Sequence, residues 1–463
     1  MKRIFCLTLC IVCIALCLGV NAGAARQTQT QPFVPVLRFV ASSDTHVMDD
    51  NDTNAARIGT MMDIAYRLAA EDPAYAKVDA LLVCGDLTHA GTETEFEKFQ
   101  SAITHALHPE TELLAVGAKN HDGYHLSRAT ERETVSALTG KGADFHVVIG
   151  GYHFIGLSVS SHPTKHYDKE QLAWLDEQLE AATKENPAQP VFVMHHEHVK
   201  NTVYGSSSFE RWGVPYFNEI LEQYPQVVDF SGHSHYPLNH PNSVWQGAFT
   251  AIGTGAVKSV DFTVEDLRDI AYSPENADCS TFWIVEADKA NNLRLRGIDL
   301  LAQKVLCEYY LENPANPQNR AFSPENKAAA STPPVFQSGA PLQVDTDYGS
   351  CSVTVPVAAS TDSFPVVLYR AYAIDADGKT VSETWTQPTY MIADSSDTVT
   401  LTLQGLSKGE YTVKVVAETA YGVQSDALET QADIEAPNAF VAFFMRIVLW
   451  LAHLMKVIRH AIF

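Results

Sequence analysis

Short apolar runs alternate with helix-spaced segments from residue 31 to residue 301. The runs at 36–40, 80–84, 113–116, 191–194, 227–230 and 282–285 predict strands, and 147–159 predicts a hairpin. The spacing of apolar residues predicts helices at 53–70 and 93–107, and a third helix that begins after Asp168. Because strands that alternate with helices are typical of α/β domains, we predict one for residues 31–301.

A different pattern follows residue 301. Residues 302–341 are rich in Pro, Asn, Ala and Ser and have little periodicity, which predicts a linker. From 342 to 433, short alternating runs are separated by turn sequences such as Asp-Ala-Asp-Gly at 375–378. This pattern predicts a second, smaller all-β sandwich of the immunoglobulin or fibronectin kind. Its segment 406–422 resembles the late strands of a fibronectin type III domain.

The first 24 residues have the order of a secretory signal peptide. Two basic residues, Lys2 and Arg3, precede an apolar run at 4–20, and Ala22-Gly23-Ala24 follows it. We therefore expect export, with the protein extracellular or at the cell surface. An uncleaved anchor is the alternative, because an apolar run of roughly 17 residues reaches the lower limit for crossing a bilayer.

The last segment, 438–463, is apolar except for a few basic and histidine side chains. On a helix, Arg446, Lys456 and Arg459 fall on one side and leave the other side apolar. This amphipathic pattern predicts a helix that lies on an anionic membrane surface. Docking of the helix on the protein's own body is the alternative.

Composition and charge narrow the class of protein. Of the 463 residues, 46% are hydrophobic and 19% charged, which is typical of folded globular proteins. The formal net charge is −23, and because both termini are basic the remainder is more negative still. Such a surface repels a phosphate backbone, so we expect no nucleic-acid binding.

Cysteine use argues against a disulfide scaffold. Half of the eight cysteines lie in the predicted signal, which leaves Cys84, Cys279, Cys307 and Cys351. Cys84 lies in an apolar run and is interpreted as a small core residue. A bridge between Cys279 and Cys307 stays open for an oxidising compartment, and no cysteine is assigned to catalysis.

Polar side chains with metal-binding chemistry follow five of the predicted strands. The five sequences, in chain order, are Asp44-Thr45-His46, Gly85-Asp86, Asn120-His121-Asp122, His195-His196 and Gly232-His233-Ser234-His235. Each stands at the carboxyl end of an apolar run, which is the edge where open α/β sheets bind ligands. Carboxylates and imidazoles that converge there can share a cation.

Most histidines in this chain need no such role. A single histidine is usually a surface or satisfied core residue. We assign that interpretation to His89, His105, His108, His125, His146, His153, His162, His166 and His240. The histidines of the five sequences above differ from these single histidines because they stand with other ligand residues at five separate strand ends. This arrangement indicates a metal site.

These five blocks, in this order, resemble the calcineurin-like metallophosphoesterase family. The resemblance covers about residues 36–301. It implies a four-layer α/β/β/α sandwich with two metals at the carboxyl edges of two packed sheets. It further implies one metal held by Asp44, His46 and His235, a second held by Asn120, His195 and His233, and Asp86 bridging both.

Two positions depart from the family's usual pattern. Lys119 precedes Asn120 where the family usually has glycine, and Glu197 follows the paired histidines where it often has proline. The first departure indicates a differently shaped turn. Between His195 and His196, we expect His195 to be the ligand because the family's ligand usually follows the strand directly.

The resemblance also implies an activity. Nitrogen and oxygen ligands suit two divalent or transition metals such as Mn, Zn or Fe better than calcium. The resemblance implies hydrolysis by a hydroxide between the metals. It also implies that His121 protonates the leaving oxygen or holds the phosphate, and that Asp122 orients His121. We expect an exported phosphoesterase that acts on small phosphate esters. Among phosphoesterases, we favour a phosphodiesterase. The alternatives are a phosphomonoesterase or nucleotidase, and a non-catalytic cell-surface binding protein with a degenerate metal domain.

Overall fold

The computed structural model describes residues 33–162, 165–207, 213–214, 216–261, 279–361 and 364–435. The predicted signal peptide at 1–24 and the predicted amphipathic helix at 438–463 lie outside these described residues. Within the described ranges, no helix has the length and apolar character needed to cross a membrane.

The first domain is built on two six-stranded mixed sheets. Its strands are β1 (Pro35–Ser42), β2 (Ala80–Cys84), β3 (Glu112–Val116), β4 (Asp144–Ile149), β5 (Tyr152–Leu157), β6 (Val191–Met194), β7 (His198–Val199), β8 (Gly213–Val214), β9 (Val227–Ser231), β10 (Val244–Gln246), β11 (Thr250–Gly253), β12 (Thr281–Asp288), β13 (Leu293–Asp299) and β14 (Lys304–Leu311). One sheet has the order β14-β13-β12-β1-β2-β3 and the other β10-β11-β9-β6-β5-β4. The short β7 and β8 pair with each other.

Helices cover the outer face of each sheet. They are α1 (Thr53–Ala70), α2 (Glu93–Ala106), α3 (Arg128–Thr139), α4 (Lys169–Glu185) and α5 (Asn218–Leu221), and a further short helix, α6 (Pro324–Ala330), follows β14. Thr92 and Asp168 begin α2 and α4 with capping boxes, which satisfy backbone N–H groups of the first turn. Apolar residues of α1 and α2 pack on the first sheet and those of α4 on the second, which confirms the predicted four-layer α/β/β/α arrangement.

The alternation of side chains along β1 explains how the two sheets meet. Leu37, Phe39 and Ala41 face the core between the sheets, whereas Val40 faces the helices. The Phe39 ring lies 5.3, 5.0 and 5.7 Å from the rings of Phe154, Phe192 and Phe230 on the opposite sheet. This aromatic contact fixes the central strands of the two sheets against each other.

Parallel pairing sets the edge at which the loops collect. β1 runs parallel to β2 and β2 to β3, while β6 runs parallel to β5 and to β9. The polar sequences that follow β1, β2, β6 and β9 therefore emerge at the carboxyl ends of neighbouring strands. This brings the loops of both sheets to one rim.

The linker predicted for 302–341 is wrong for part of that range. Residues Lys304–Leu311 form β14 and pair along β13, so they extend the first sheet. Farther on, Lys327 in α6 is buried, and its ammonium donates to the carbonyls of Pro241 and Val244 at 2.8 Å each. Low periodicity concealed an edge strand, because an edge strand is only half covered and its pattern is weak.

The second domain is a seven-stranded sandwich within the described residues. Its strands are β15 (Gln343–Asp347), β16 (Ser350–Pro356), β17 (Leu368–Ile374), β18 (Thr380–Thr386), β19 (Thr398–Gln404), β20 (Gly409–Glu418) and β21 (Leu428–Ile434). They form the sheets β15-β16-β19 and β18-β17-β20-β21, whose apolar faces share one core. The Tyr411 hydroxyl donates to the Ser407 carbonyl at 3.0 Å, as in the tyrosine corner of immunoglobulin-like sandwiches.

The four cysteines of the described chain are all free thiols. Cys84 is buried in the core, as predicted. Cys279 and Cys307 do not form the bridge that the sequence left open. Packing and hydrogen bonding, not disulfides, therefore stabilise the described part of the chain.

Candidate metal centre

Three side chains from two loops form a first cluster. The Nε2 atom of His235 lies 3.1 Å from Asp44 Oδ1 and 3.1 Å from the Nε2 atom of His46. His46 Nε2 is itself 3.8 Å from Asp44 Oδ1. A carboxylate and two imidazoles thus present their donor atoms within coordination range of one point.

A second cluster of the same composition lies beside the first. His196 Nε2 lies 3.3 Å from Asp86 Oδ2 and 3.1 Å from His233 Nδ1. Asp86 Oδ2 is also 3.7 Å from His46 Nε2 in the first cluster. Asp86 therefore stands between the two groups, where a carboxylate can reach both.

The loops that carry these residues turn sharply as each strand ends. Five of the six cluster residues have left-handed backbone angles, with φ between 42° and 70°: Asp44, His46, Asp86, His233 and His235. Such angles are uncommon outside glycine and cluster at functional sites. Hydrogen bonds from Asp44 N to the Gly85 carbonyl and from His46 N to the Asp86 carbonyl, both 3.0 Å, fix the first two loops together.

Backbone carbonyls orient the imidazoles. His196 Nδ1 lies 2.8 Å from the Cys84 carbonyl, and His235 Nδ1 lies 3.0 Å from the Ser259 carbonyl. Because a carbonyl only accepts, each Nδ1 must carry the hydrogen, and each Nε2 is directed into its cluster. This arrangement is typical of metal-binding histidines.

The charges of the clusters also suit cations. Burial would raise the pKa of Asp86, but His196 lowers it to about 2, and His235 similarly holds the pKa of Asp44 well below the ordinary value. Burial lowers the pKa of His46 and that of His233 to about 4. At neutral pH both carboxylates are therefore ionised and the imidazoles of His46 and His233 are neutral, the protonation states that metal binding requires of these groups.

Two further observations point the same way. Burial alone would lower the pKa values of His196 and His235, yet Asp86 and Asp44 raise them, so the carboxylates demand positive charge nearby. Asp86 Oδ1 and His46 Nδ1 are buried without a hydrogen-bond partner. Buried polar atoms without a hydrogen-bond partner fit a site made for metal ions.

His121 lies at the rim of the first cluster. Its ring centroid is 4.3 Å from that of His46, and its Nδ1 lies 2.6 Å from the backbone carbonyl of His89. The His89 ring belongs to the same group, because donor atoms of His46, His89 and His121 all lie within 4.8 Å of one another. The interpretation of His89 as a surface or core residue is therefore wrong. Its position three residues after Asp86 was the available signal.

Asp122 does not orient His121, contrary to the sequence-based expectation. The buried carboxylate accepts hydrogen bonds from the amides of Leu87, Thr88 and Ala118 at 2.8–3.2 Å, and from the Thr88 hydroxyl at 2.8 Å. Burial raises the pKa of Asp122 to about 7. Asp122 fastens the loop after β3 to the loop after β2, and the His89 carbonyl orients His121 instead.

Asn120 is exposed on the loop between β3 and α3 and makes no hydrogen bond to the described residues, so its assignment as a ligand of the second metal stays a prediction. The two departures from the family pattern meet beside it. Lys119 Nζ lies 3.3 Å from His166 Nε2, and His166 Nδ1 lies 2.6 Å from Glu197 Oε1. Through His166, Lys119 connects this loop to the Glu197 segment.

The structure contradicts the choice of His195 over His196. His195 is fully buried, and its Nε2 lies 2.8 Å from Asp229 Oδ1, away from both clusters. Neighbouring residues in extended chain point to opposite sides, so only one of the pair can face the rim. His196 is that residue.

Comparison with known proteins agrees with this geometry. A family model described as calcineurin-like phosphoesterase matches residues 37–237. The chain carries a calcineurin-like phosphoesterase domain. The prediction of the family is confirmed for residues 37–237. Among curated proteins, no sequence matches the chain.

Solved structures with local similarity include a purple acid phosphatase, PPD1, from yellow lupin (Lupinus luteus). It is 14% identical with a TM-score of 0.42, and the match covers 59% of this chain and 53% of the lupin chain. The chain thus spans about half the length of that protein. A fibronectin type III domain of human fibronectin type III domain containing protein 3 is 15% identical, with 24% and 94% coverage and a TM-score of 0.15.

Replacement of Gly232 tests how tightly the clusters are built. A Cβ at this position would lie 2.6 Å from Asp44 Oδ2 and still closer to Ser43 Oγ. We expect Gly232→Ala to displace Asp44 and to reduce bound Mn or Zn, measured by elemental analysis. Gly59→Ala is the matched control, since a Cβ there meets nothing within 4 Å in a helix. Equal metal content in both variants would contradict this geometry.

The two adjacent histidines give a second test. We expect His196→Ala to lose cation binding at the second cluster, because its Nε2 faces Asp86. His195→Ala should keep the metal content of the wild type and instead lower the melting temperature, because it leaves Asp229 buried without its partner. Metal analysis and thermal denaturation of both variants measure this. Loss of metal in His195→Ala alone would restore the original choice.

Proposed function

We propose that this protein is an exported metal-dependent phosphoesterase that hydrolyses small phosphate diesters. The observation that carries the proposal is the pair of adjoining clusters, each with one carboxylate and two imidazoles, with Asp86 between them. Asp44, His46 and His235 would hold one divalent ion of the Mn, Zn or Fe type, and Asp86, His196 and His233 another. When bound, two such ions polarise phosphoryl oxygens and offset the charge that develops in the displacement.

His121 is the residue best placed to handle a proton. Its Nδ1–H is committed to the His89 carbonyl, so its orientation is fixed and its Nε2 is left for the substrate. The side chain is half-buried, as a group that meets substrate at the rim should be. We assign it the protonation of the leaving oxygen or a hydrogen bond to the phosphate.

The charge of the protein bears on the size of the substrate. The net charge of −23 favours small phosphate esters over nucleic acids. The preference for a diester over a monoester is part of the proposal, and the comparison of two model substrates decides it.

Export and membrane attachment are proposals that rest on the sequence. The charge, apolar run and small residues at 1–24 support passage out of the cytoplasm. The basic, one-sided apolar pattern at 438–463 supports contact with an anionic membrane surface. Both segments lie outside the described residues.

Turnover of two model substrates tests the activity. With added Mn or Zn, we expect the purified protein to hydrolyse bis-p-nitrophenyl phosphate faster than p-nitrophenyl phosphate. Asp86→Ala should abolish turnover and lower metal content, because Asp86 serves both clusters. His121→Ala should keep its metal and lose roughly 10²–10⁴-fold in kcat, the usual contribution of a general acid.

The controls separate the competing functions. His105→Ala, on the exposed face of α2, should match the wild type. Faster hydrolysis of the monoester would make the protein a phosphomonoesterase or nucleotidase. Failure on both substrates with metal bound would favour the non-catalytic binding protein. A fall in metal content in His121→Ala equal to that in Asp86→Ala would refute the role of His121.

A further inference from the structure

One irregular segment, residues 257–261, supports the first cluster from outside. The amides of Val257 and Lys258 donate to the carbonyls of Ser43 and Asp44 at 3.1 and 3.0 Å. The Ser259 carbonyl accepts from His235 Nδ1 at 3.0 Å, and the Asp261 amide donates to the His235 carbonyl at 2.8 Å. Two of the three residues of the cluster therefore depend on the position of this segment.

The segment has no secondary structure of its own to hold it. It follows β11 and lies outside the two sheets, so no ladder of strand hydrogen bonds fixes it. Its one fully buried side chain after Val257 is Val260, which packs in a small apolar cluster with Cys279 and Met391. The start of the segment is also held by Arg57 of α1 and by the Ser280 hydroxyl, which donate to the carbonyls of Val257 and Lys258. Val260 is therefore the buried side chain that anchors the later part, next to Ser259.

Met391 belongs to the second domain. It lies in the connection between β18 and β19 of the sandwich, and it is fully buried between the partly buried Tyr390 and Ile392. The apolar socket of Val260 is thus completed by a residue about 130 positions away in the sequence, across the domain boundary. A methionine fills such an irregular gap well.

Polar contacts hold the same connection onto the first domain. Asn239 Nδ2 donates to the Tyr390 carbonyl at 2.8 Å, and the Ala393 amide donates to Asp299 Oδ2 at 2.9 Å. Asp394 pairs with Lys304 of β14 at 2.5 Å. Contacts on both sides of Met391 therefore keep it in place against Val260.

We infer that the β-sandwich completes the support of the candidate metal centre, and that Met391 is a positioning residue for His235. Met391 holds Val260, Val260 holds the 257–261 segment, and the Ser259 carbonyl in that segment fixes the imidazole of His235. Metal sites and catalytic sites need their side chains placed within a fraction of an ångström, so this support matters to the cluster. The inference deepens the proposed function and rests on it for its effect on cations.

Hydrogen exchange of the full chain tests the support without any metal. We expect Met391→Ala to speed amide exchange in 255–261 by about tenfold, because the hydrogen-bonded amides of Val257, Lys258 and Asp261 would open more often. Met391→Leu conserves volume and should restore slow exchange. Leu401→Ala is the matched control, since Leu401 is buried in the sandwich core but does not contact Val260.

Titration of the same variants with Co²⁺, followed by visible absorption, tests the consequence for the cluster. We expect Met391→Ala to weaken one of two cation equivalents by about 10-fold or more, in the range found for residues that orient metal ligands. The affinity of Met391→Ala for the other equivalent should stay near that of the wild type. Met391→Leu and Leu401→Ala should bind both equivalents with affinities near those of the wild type.

The outcomes separate this inference from the proposed function. Unchanged exchange in Met391→Ala, or equal acceleration in Leu401→Ala, would overturn the inference. If the wild type binds no Co²⁺ while Met391→Ala still speeds exchange in 255–261, the proposed function fails and the positioning of the segment by Met391 stands.

Discussion

Two buried carboxylates at one rim, Asp44 and Asp86, impose the constraint on which the centre depends. Each is removed from water and needs positive charge beside it, and the surrounding imidazoles meet that need only in part. This requirement for positive charge explains the arrangement of the imidazole nitrogens. Every imidazole of the two clusters directs a nitrogen toward a carboxylate or toward another imidazole. A pair of cations satisfies such an arrangement better than protons can.

Bringing the carboxylates together requires a particular backbone. The parallel strands β1 and β2 end side by side, and the chain turns through left-handed angles at once, so that Asp44 and Asp86 face the rim instead of following their strands. Gly85 and Gly232 allow close approach, because a Cβ on either would strike His196 or Asp44. The strained turns are held from outside by Asp122 and by the 257–261 segment, and through that segment by the second domain.

Much of this could be predicted from sequence, and the reasons for the exceptions are physical. Strand-end motifs gave Asp44, Asp86 and the His233–His235 pair, because short spacing limits where those side chains can point. The choice within His195-His196 failed because the side that faces the rim depends on where the strand stops, which spacing does not reveal. The placement of His89 depends on the shape of the loops, and the contact of Met391 with Val260 depends on how two domains meet, which local pattern cannot show.

The most direct test is an anomalous scattering map from crystals of the protein grown with Mn²⁺. The account predicts two peaks about 3.5–4 Å apart, one within coordination distance of Asp44, His46 and His235 and the other of His196 and His233, with Asp86 between them. No peak at the rim in the presence of excess Mn²⁺, or a second peak beside His195, would contradict it.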